Sequence, residues 1–370
     1  MPKLVQKQIE KINLKFEQSI KSEETKRVYL VYLNKYLQFP GTEKFLDGLD
    51  QTDPRNIEDH VINFVISMKK EGKGFTAIHN YVSAIFKFYK IRDLVLNTDK
   101  IKQYLPEFRK SKKNRAYTHE EIQSLLDISD ERMRCIILLL ASSGIRVGAI
   151  PDLRLRNIQK VSTESGFDIH IHKLIVYENT NDEYVTFTSN ECSRAIDSYL
   201  KFRESKGERL SQDSFLIREQ FDVRDPFAAS KSHQIKPQTI SKKLIDLAER
   251  SGLRQKEVLQ EGKKPATIRK DIQIAHGFRK FFSTQLVEAD VKTELRWLLE
   301  GHKLKGNDSH YIRTTEKRLQ EEYEKALESL TIDPANRLRR KVEILKIEKS
   351  RIDMLEAKIQ KLERKHGRIR

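Results

Sequence analysis

The basic segment 109–115 separates two long stretches whose apolar residues recur at helical spacing. Its residues, Arg-Lys-Ser-Lys-Lys-Asn-Arg, offer no apolar side chain to a core, so the segment predicts a linker between two domains. The chain has 370 residues, and single cores rarely grow beyond about 250–300 residues. We therefore expect one domain at residues 22–108 and a second at residues 116–330.

The first domain is predicted to be a helical bundle. Ser22–Thr25 has the polar residues of a helix start, Pro40 and Gly41 interrupt the chain, and Asp53 precedes a proline that begins another helix. Ahead of this domain, residues 1–21 mix basic and apolar residues, which indicates an amphipathic segment.

The second domain is predicted to be mainly helical with one small antiparallel β-sheet. Thr118–Glu121 matches a capping box, and the apolar run Cys135–Ala141 predicts a buried helix that stops at Gly144. Segments 167–176 and 184–188 alternate apolar and polar residues, and turn-forming residues lie between them. That pattern predicts a β-hairpin.

The C-terminal segment 334–370 is charged and helical in pattern. Apolar residues recur at heptad positions a and d, namely Leu338, Leu345, Ile352 and Ile359 at a, and Leu355 and Leu362 at d. The earlier d positions hold Lys341 and Glu348. The segment therefore predicts either a short coiled coil or a single solvated helix packed on its own domain.

The charge of the chain favours a polyanionic partner. Its formal net charge is +17, which points first to nucleic acid and leaves open whether the linker also contacts phosphates. There is no apolar run long enough to cross a bilayer and no signal peptide, so we expect no membrane partner.

Nothing in the sequence indicates a cofactor. Cys135 and Cys192 lie in apolar or amphipathic segments without CxxC spacing, which predicts buried thiols in a reducing cytoplasm and no metal site. The phosphate-binding GxxxxGK[ST] loop and the dinucleotide fingerprint are also missing. We therefore expect no nucleotide cofactor and no small-molecule substrate.

Five side chains suited to phosphodiester chemistry follow one another in the second domain. Arg146 lies in Ser-Gly-Ile-Arg-Val-Gly, and His276 and Arg279 lie in His-Gly-Phe-Arg. His302 follows a glycine, and Tyr311 comes nine residues later. Arginines can hold the non-bridging oxygens of a phosphate, and a phenol surrounded by cations can attack phosphorus without a metal. Each residue alone has a structural interpretation, but their order and spacing favour a shared site.

This order and spacing resemble the tyrosine recombinase (phage integrase) family over about residues 22–330. The resemblance implies that Arg146 and Arg279 bind the scissile phosphate. It also implies that His276 helps to remove the phenol proton and that His302 donates to a non-bridging oxygen. Tyr311 would be the nucleophile, with Tyr323 as the less well-spaced rival.

The lysine of the family pattern is where this chain departs from it. In that family a lysine in or beside the hairpin turn protonates the leaving 5′ oxygen. Here the turn, residues 178–183, contains no lysine. Lys173 on the preceding strand is the nearest candidate, and a plain exposed strand lysine is the alternative.

The resemblance implies a site-specific DNA recombinase that works through a 3′-phosphotyrosyl intermediate. It further implies double-stranded DNA held by the two domains as a C-shaped clamp, a homo-tetramer on two DNA sites, and a mobile element of a bacterium or archaeon as the source. Two alternative functions remain open beside the recombinase. One is a type IB topoisomerase, and the other is a non-catalytic DNA-binding derivative, for which the missing turn lysine is the only sign.

Overall fold

Helices predominate in the protein, whose computed structural model describes residues 14–46, 53–108, 115–161, 170–254, 272–304 and 314–366. One small antiparallel sheet accompanies the helices, which confirms the predicted fold class. The chain divides into two units, Met1–Ser111 and Lys112–Arg370, and each has its own apolar core.

Two helices of the first unit begin at the polar residues that the sequence singled out, Ser22 and Asp53. The helices of this unit are α1 (Glu23–Leu37), α2 (Pro54–Lys70), α3 (Phe75–Lys90) and α4 (Thr98–Lys102). The Ser22 side chain accepts a hydrogen bond from the backbone N–H of Thr25, and the Asp53 carboxylate accepts one from that of Arg55. Each cap satisfies an otherwise unpaired N–H in the first turn of its helix.

The core of the first unit is rich in aromatic side chains. The Tyr36 and Tyr89 hydroxyls lie 2.9 Å apart in its interior, and Phe16 from the predicted amphipathic segment is buried in the same cluster. Leu14 of that segment is exposed, and Leu4, Ile9 and Ile12 lie outside the described residues.

Among its described residues, the second unit has three strands and the remaining helices. Its helices are α5 (His119–Asp127), α6 (Glu131–Ser143), α7 (Asn190–Ser205), α8 (Pro226–Ser230), α9 (Pro237–Arg250), α10 (Ile274–Glu288), α11 (Thr293–Leu299), α12 (Glu316–Lys325) and α13 (Pro334–His366). The predicted capping box at the start of α5 is present. The Glu121 backbone N–H donates to the Thr118 hydroxyl, and the Thr118 backbone N–H donates to the Glu121 carboxylate.

The sheet has the order β1 (Ile158–Val161), β2 (Ile171–Val176), β3 (Tyr184–Phe187), with both pairs antiparallel. β2 and β3 form the predicted hairpin, in which Val176 pairs with Tyr184. β1 was not predicted, because its four residues, Ile-Gln-Lys-Val, are too few to show a period.

Helix α6 forms the centre of the second unit's core and sets the position of the loop behind it. Every residue from Cys135 to Ser143 is buried. The helix ends at Gly144, which has a φ of 61° and whose N–H donates to the Leu140 carbonyl oxygen. The Phe282 ring of α10 lies where a Cβ on Gly144 would be. Only glycine therefore fits this turn, which leads directly into Arg146.

Across the described residues, no helix is both long enough and apolar enough to cross a membrane.

Replacing Gly144 with alanine tests this turn. In Gly144→Ala the added methyl group would overlap the Phe282 ring, and the alanine would have to keep the positive φ of this position. We therefore expect the substitution to lower the free energy of unfolding by about 2–4 kcal/mol. Gly148→Ala in the same loop is the control, since its Cβ would meet nothing within 4 Å. Its effect should stay within about 0.5 kcal/mol. Equal urea unfolding midpoints for the two variants would contradict this view of the turn.

Candidate active site

A cavity of about 940 Å³ opens where three loops of the second unit meet. These loops are the exit from α6, the β2–β3 turn and the segment after α11. The lining residues are Arg146, Tyr177, Thr180, Asp182, Trp297, Gly301, His302 and Lys303. Three of the lining side chains can carry a positive charge, and each follows a glycine turn. Arg146 comes after Gly144, and His302 and Lys303 come after Gly301.

The guanidinium of Arg279, on α10, contacts two of these loops, the exit from α6 and the segment after α11. Its Nη1 donates to the carbonyl oxygen of Gly144 at 2.7 Å. Its Nη2 donates to the carbonyl oxygen of Glu300 and lies 3.0 Å from Nε2 of His302. Arg279 is 8% exposed, so these contacts replace the water that a charged group would otherwise need.

The end of α11 places His302 beside that guanidinium. Gly301 has a φ of 68°, its N–H donates to the Leu298 carbonyl oxygen, and the His302 N–H donates to that of Trp297. This is the Schellman arrangement, which needs a residue with positive φ. The Tyr184 ring of β3 lies where a Cβ on Gly301 would be, so glycine is required for close packing as well.

His302 lies between a cation and a buried carboxylate. Its Nδ1 is 3.3 Å from Oε2 of Glu300, which is almost fully buried. Burial and the Arg279 charge lower the pKa of His302, although Glu300 opposes that shift. A neutral ring with its proton on Nδ1 satisfies both neighbours, because Nε2 then accepts from Arg279.

His276 lies in the first turn of α10, one turn before Arg279. Burial, and then the charges of Lys280, Arg279 and Arg146, lower its pKa. Burial and the charge of Arg146 also lower the pKa of Arg279. Beside burial and the charge of Arg279, the charge of Arg146 also lowers the pKa of His302, and Arg279 contacts His302 directly. The structure therefore places Arg146, His276, Arg279 and His302, four of the six site residues predicted from the sequence, in one region.

Lys173 is not part of that group. It lies on β2, where its Nζ is 2.8 Å from Oε2 of Glu316 on α12, and it lines a separate cavity of about 410 Å³. Lys303 was not predicted from the sequence, yet it lines the Arg146 cavity. Nζ of Lys303 is 2.7 Å from Oδ1 of Asp182 in the β2–β3 turn. The position of Lys303 directly after Gly301 and His302 is the feature of the sequence from which it could have been predicted.

Tyr311 lies outside the described residues. Its rival, Tyr323 on α12, is completely buried, and its hydroxyl donates to the carbonyl oxygen of Ser142 at 2.8 Å. Burial raises the pKa of this phenol well above its usual value. Tyr323 therefore has the surroundings of a core residue and not those of a nucleophile.

One group of side chains in the described part of the chain could hold a metal ion. His170, His172 and Asp197 have candidate ligand atoms within 4.8 Å of one another. His170 Nε2 already lies 2.7 Å from Asp197 Oδ2, which pairs two of the three groups without an ion. None of the three lines the Arg146 cavity.

Comparison with known proteins gives relatives along most of the chain. The curated tyrosine recombinase XerA of Pyrococcus furiosus is 22% identical over 83% of this chain and 89% of its own length. Tyrosine recombinase XerC of Leptospira interrogans is 24% identical over 85% of this chain and 90% of its own length.

Solved structures show the same fold. A lambda integrase tetramer bound to a Holliday junction has a TM-score of 0.53 at 13% identity, covering 83% of this chain and 77% of that one. XerH recombinase bound to its difH substrate has a TM-score of 0.50 at 16% identity, covering 80% and 77%.

A family model, that of the phage integrase family, matches residues 115–318, which is more than half of the chain. That span contains all the motif residues from Arg146 to Tyr311. The resemblance seen in the sequence is thereby confirmed, and the chain belongs to the phage integrase family of tyrosine recombinases.

Proposed function

We propose that this enzyme cleaves and rejoins DNA at specific sites, with Tyr311 as the nucleophile. The observation that carries the proposal is that Arg146 and His302 line one cavity and that the Arg279 guanidinium lies 3.0 Å from Nε2 of His302. His276 lies one helical turn before Arg279, and burial and the charges of Arg279 and Arg146 lower its pKa. Such a cationic group suits a phosphodiester, whose non-bridging oxygens gain negative charge as a fifth oxygen approaches phosphorus. The family's relatives and the motif spacing support Tyr311 as the attacking residue.

In the proposed reaction the two arginines hold the phosphate. Arg279 has N–H groups fixed by Gly144 and Glu300, so its remaining donors are already oriented. Arg146 is exposed on the cavity wall and provides a second fork. Losing one pre-oriented donor of this kind commonly slows a reaction by about 10²–10³-fold.

Side chains of this protein can accept the proton that Tyr311 loses and supply the proton that the leaving 5′ oxygen gains. His276 has a lowered pKa and is therefore neutral near pH 7, so it can accept the phenol proton as the Tyr311 oxygen bonds to phosphorus. The bond from phosphorus to the 5′ oxygen breaks, leaving a 3′-phosphotyrosyl link and, after protonation, a 5′ hydroxyl. A 5′ hydroxyl from a partner strand then reverses the step, and no ATP is consumed.

The proton for the leaving 5′ oxygen comes from a lysine in this proposal. Lys173 is the residue expected from the sequence, but its ammonium pairs with Glu316 at a different cavity. Lys303 shares the cavity with Arg146 and His302 and is tied to the β2–β3 turn through Asp182. Exposed pairs such as Lys303–Asp182 contribute little stability, so the lysine can turn to a bound anion. We favour Lys303 as the acid.

DNA is the proposed partner, in keeping with the net charge of +17 and with relatives solved on DNA. Contacts from both units to phosphates would dominate the affinity. A homo-tetramer on two sites and action in the cytoplasm belong to the same proposal. The alternative with structural support is a DNA-binding derivative without activity, since the β2–β3 turn itself carries Asn179 and Asp182 but no lysine.

Denaturing gels with nicked duplexes from the DNA flanking the gene test the nucleophile. We expect a covalent protein–DNA band that disappears in Tyr311→Phe, because the attacking oxygen is gone. Tyr323→Phe is the matched control. It loses one buried hydrogen bond, worth about 1 kcal/mol, and should retain the band. A band that persists in Tyr311→Phe would overturn the assignment, and tight DNA binding without any band would favour the non-catalytic alternative.

Single-turnover cleavage of two substrates tests the acid. Lys303→Ala should slow cleavage of ordinary DNA by about 10²–10⁴-fold, because the alkoxide leaves unprotonated. The same variant should cleave at nearly the wild-type rate when sulfur replaces the bridging 5′ oxygen, since a thiolate leaves without a proton. Lys173→Ala serves as the comparison. If Lys173→Ala alone shows this slowing and rescue, Lys173 is the acid and the assignment to Lys303 is wrong.

A further inference from the structure

Helix α13 has an apolar stripe that the second unit does not cover. Its start is attached to α7, because the Glu191 carboxylate accepts from the backbone N–H groups of Ile332 and Asp333. From Leu345 to Leu362 every residue is exposed. The stripe comprises Leu345, Ile352, Leu355, Ile359 and Leu362, each between 52% and 57% exposed. Most of a helix's stability in a protein comes from packing of its apolar face, and this stripe has no such packing among the described residues.

We propose that residues 345–362 of α13 form a parallel two-stranded coiled coil with the same segment of a second copy of this chain. Leu345, Ile352 and Ile359 occupy heptad position a, and Leu355 and Leu362 occupy d. Isoleucine at a with leucine at d is the combination that favours two parallel strands. The paired segment of 18 residues is about 27 Å long.

The charges beside the stripe determine the direction of the pair. Position g holds Arg351 and Lys358, and position e of the third heptad holds Glu356. In a parallel pair each g residue faces the following e residue of the other helix, so Arg351 meets Glu356. In an antiparallel pair g residues face one another, which would bring Arg351 and Lys358 together. An antiparallel pair would also bring Lys349 and Glu356, both at position e, together. It therefore mixes attraction with repulsion, whereas the parallel pair has only attraction between these charges and is favoured.

Glu348 limits the strength of the pair. It occupies a d position and would face the same residue of the second copy, and a polar residue in the seam lowers stability while restricting register. A short coil of this kind is weak at low concentration. Two copies held on neighbouring DNA sites would associate much more readily, because their effective concentration is high. The coil would thus link protomers that DNA has already brought together.

Cysteine cross-linking of the full chain on DNA tests the arrangement directly. The native cysteines, Cys135 and Cys192, are buried and should remain unreactive. In the proposed coil, Leu355→Cys places two thiols across the seam, so oxidation should form a disulfide dimer at least tenfold faster than with Ala357→Cys on the outer face. Rates within twofold of each other would overturn the proposal, as would equal failure of both variants to cross-link.

A second experiment does not depend on thiol chemistry. Ile352→Lys adds a charge in the seam, and Ser350→Lys adds the same charge at the outer position f. Sedimentation equilibrium of the full chain should show association weakened at least tenfold by Ile352→Lys and less than twofold by Ser350→Lys. Equal effects, or a monomer under every condition that includes DNA, would rule out the coil. Covalent adduct formation by Ile352→Lys on a single DNA site should be unchanged, which separates this result from failure of the proposed reaction.

Discussion

The guanidinium of Arg279 is the interaction on which the candidate site depends. It is nearly buried, so its charge must be compensated from within the protein. The compensating atoms are the carbonyl oxygens of Gly144 and Glu300 and the ring of His302. One side chain thus connects the exit of α6 to the exit of α11. These two exits in turn position Arg146 and His302, which follow them directly in the chain.

Two glycines allow these loops to approach each other. Gly144 faces the Phe282 ring and Gly301 faces the Tyr184 ring, and both have positive φ. The rings come from α10 and β3, elements whose apolar sides form part of the core. Core packing and site geometry are therefore coupled, since a change in either ring or glycine would move a cationic group at the cavity.

Local signals in the sequence account for much of the fold and for part of the site. Helix starts at Ser22, Asp53 and Thr118 were readable because a cap depends on residues close together in the chain. Strand β1 was not, because four residues are too few to show a period. The ion pair of Lys303 with Asp182 was not, because only folding brings these two residues together. For the same reason, spacing alone could not show that Lys173 faces Glu316, away from the Arg146 cavity.

Arg279→Lys is the most direct test of this account, measured as single-turnover DNA cleavage alongside DNA affinity. Lysine keeps the charge but cannot donate to two carbonyl oxygens and a phosphate with the geometry of the guanidinium. We predict cleavage slowed by at least about 100-fold with affinity changed less than about twofold, whereas Arg250→Lys on the exposed face of α9 should match the wild type. Cleavage by Arg279→Lys at near the wild-type rate would contradict the central role of this guanidinium.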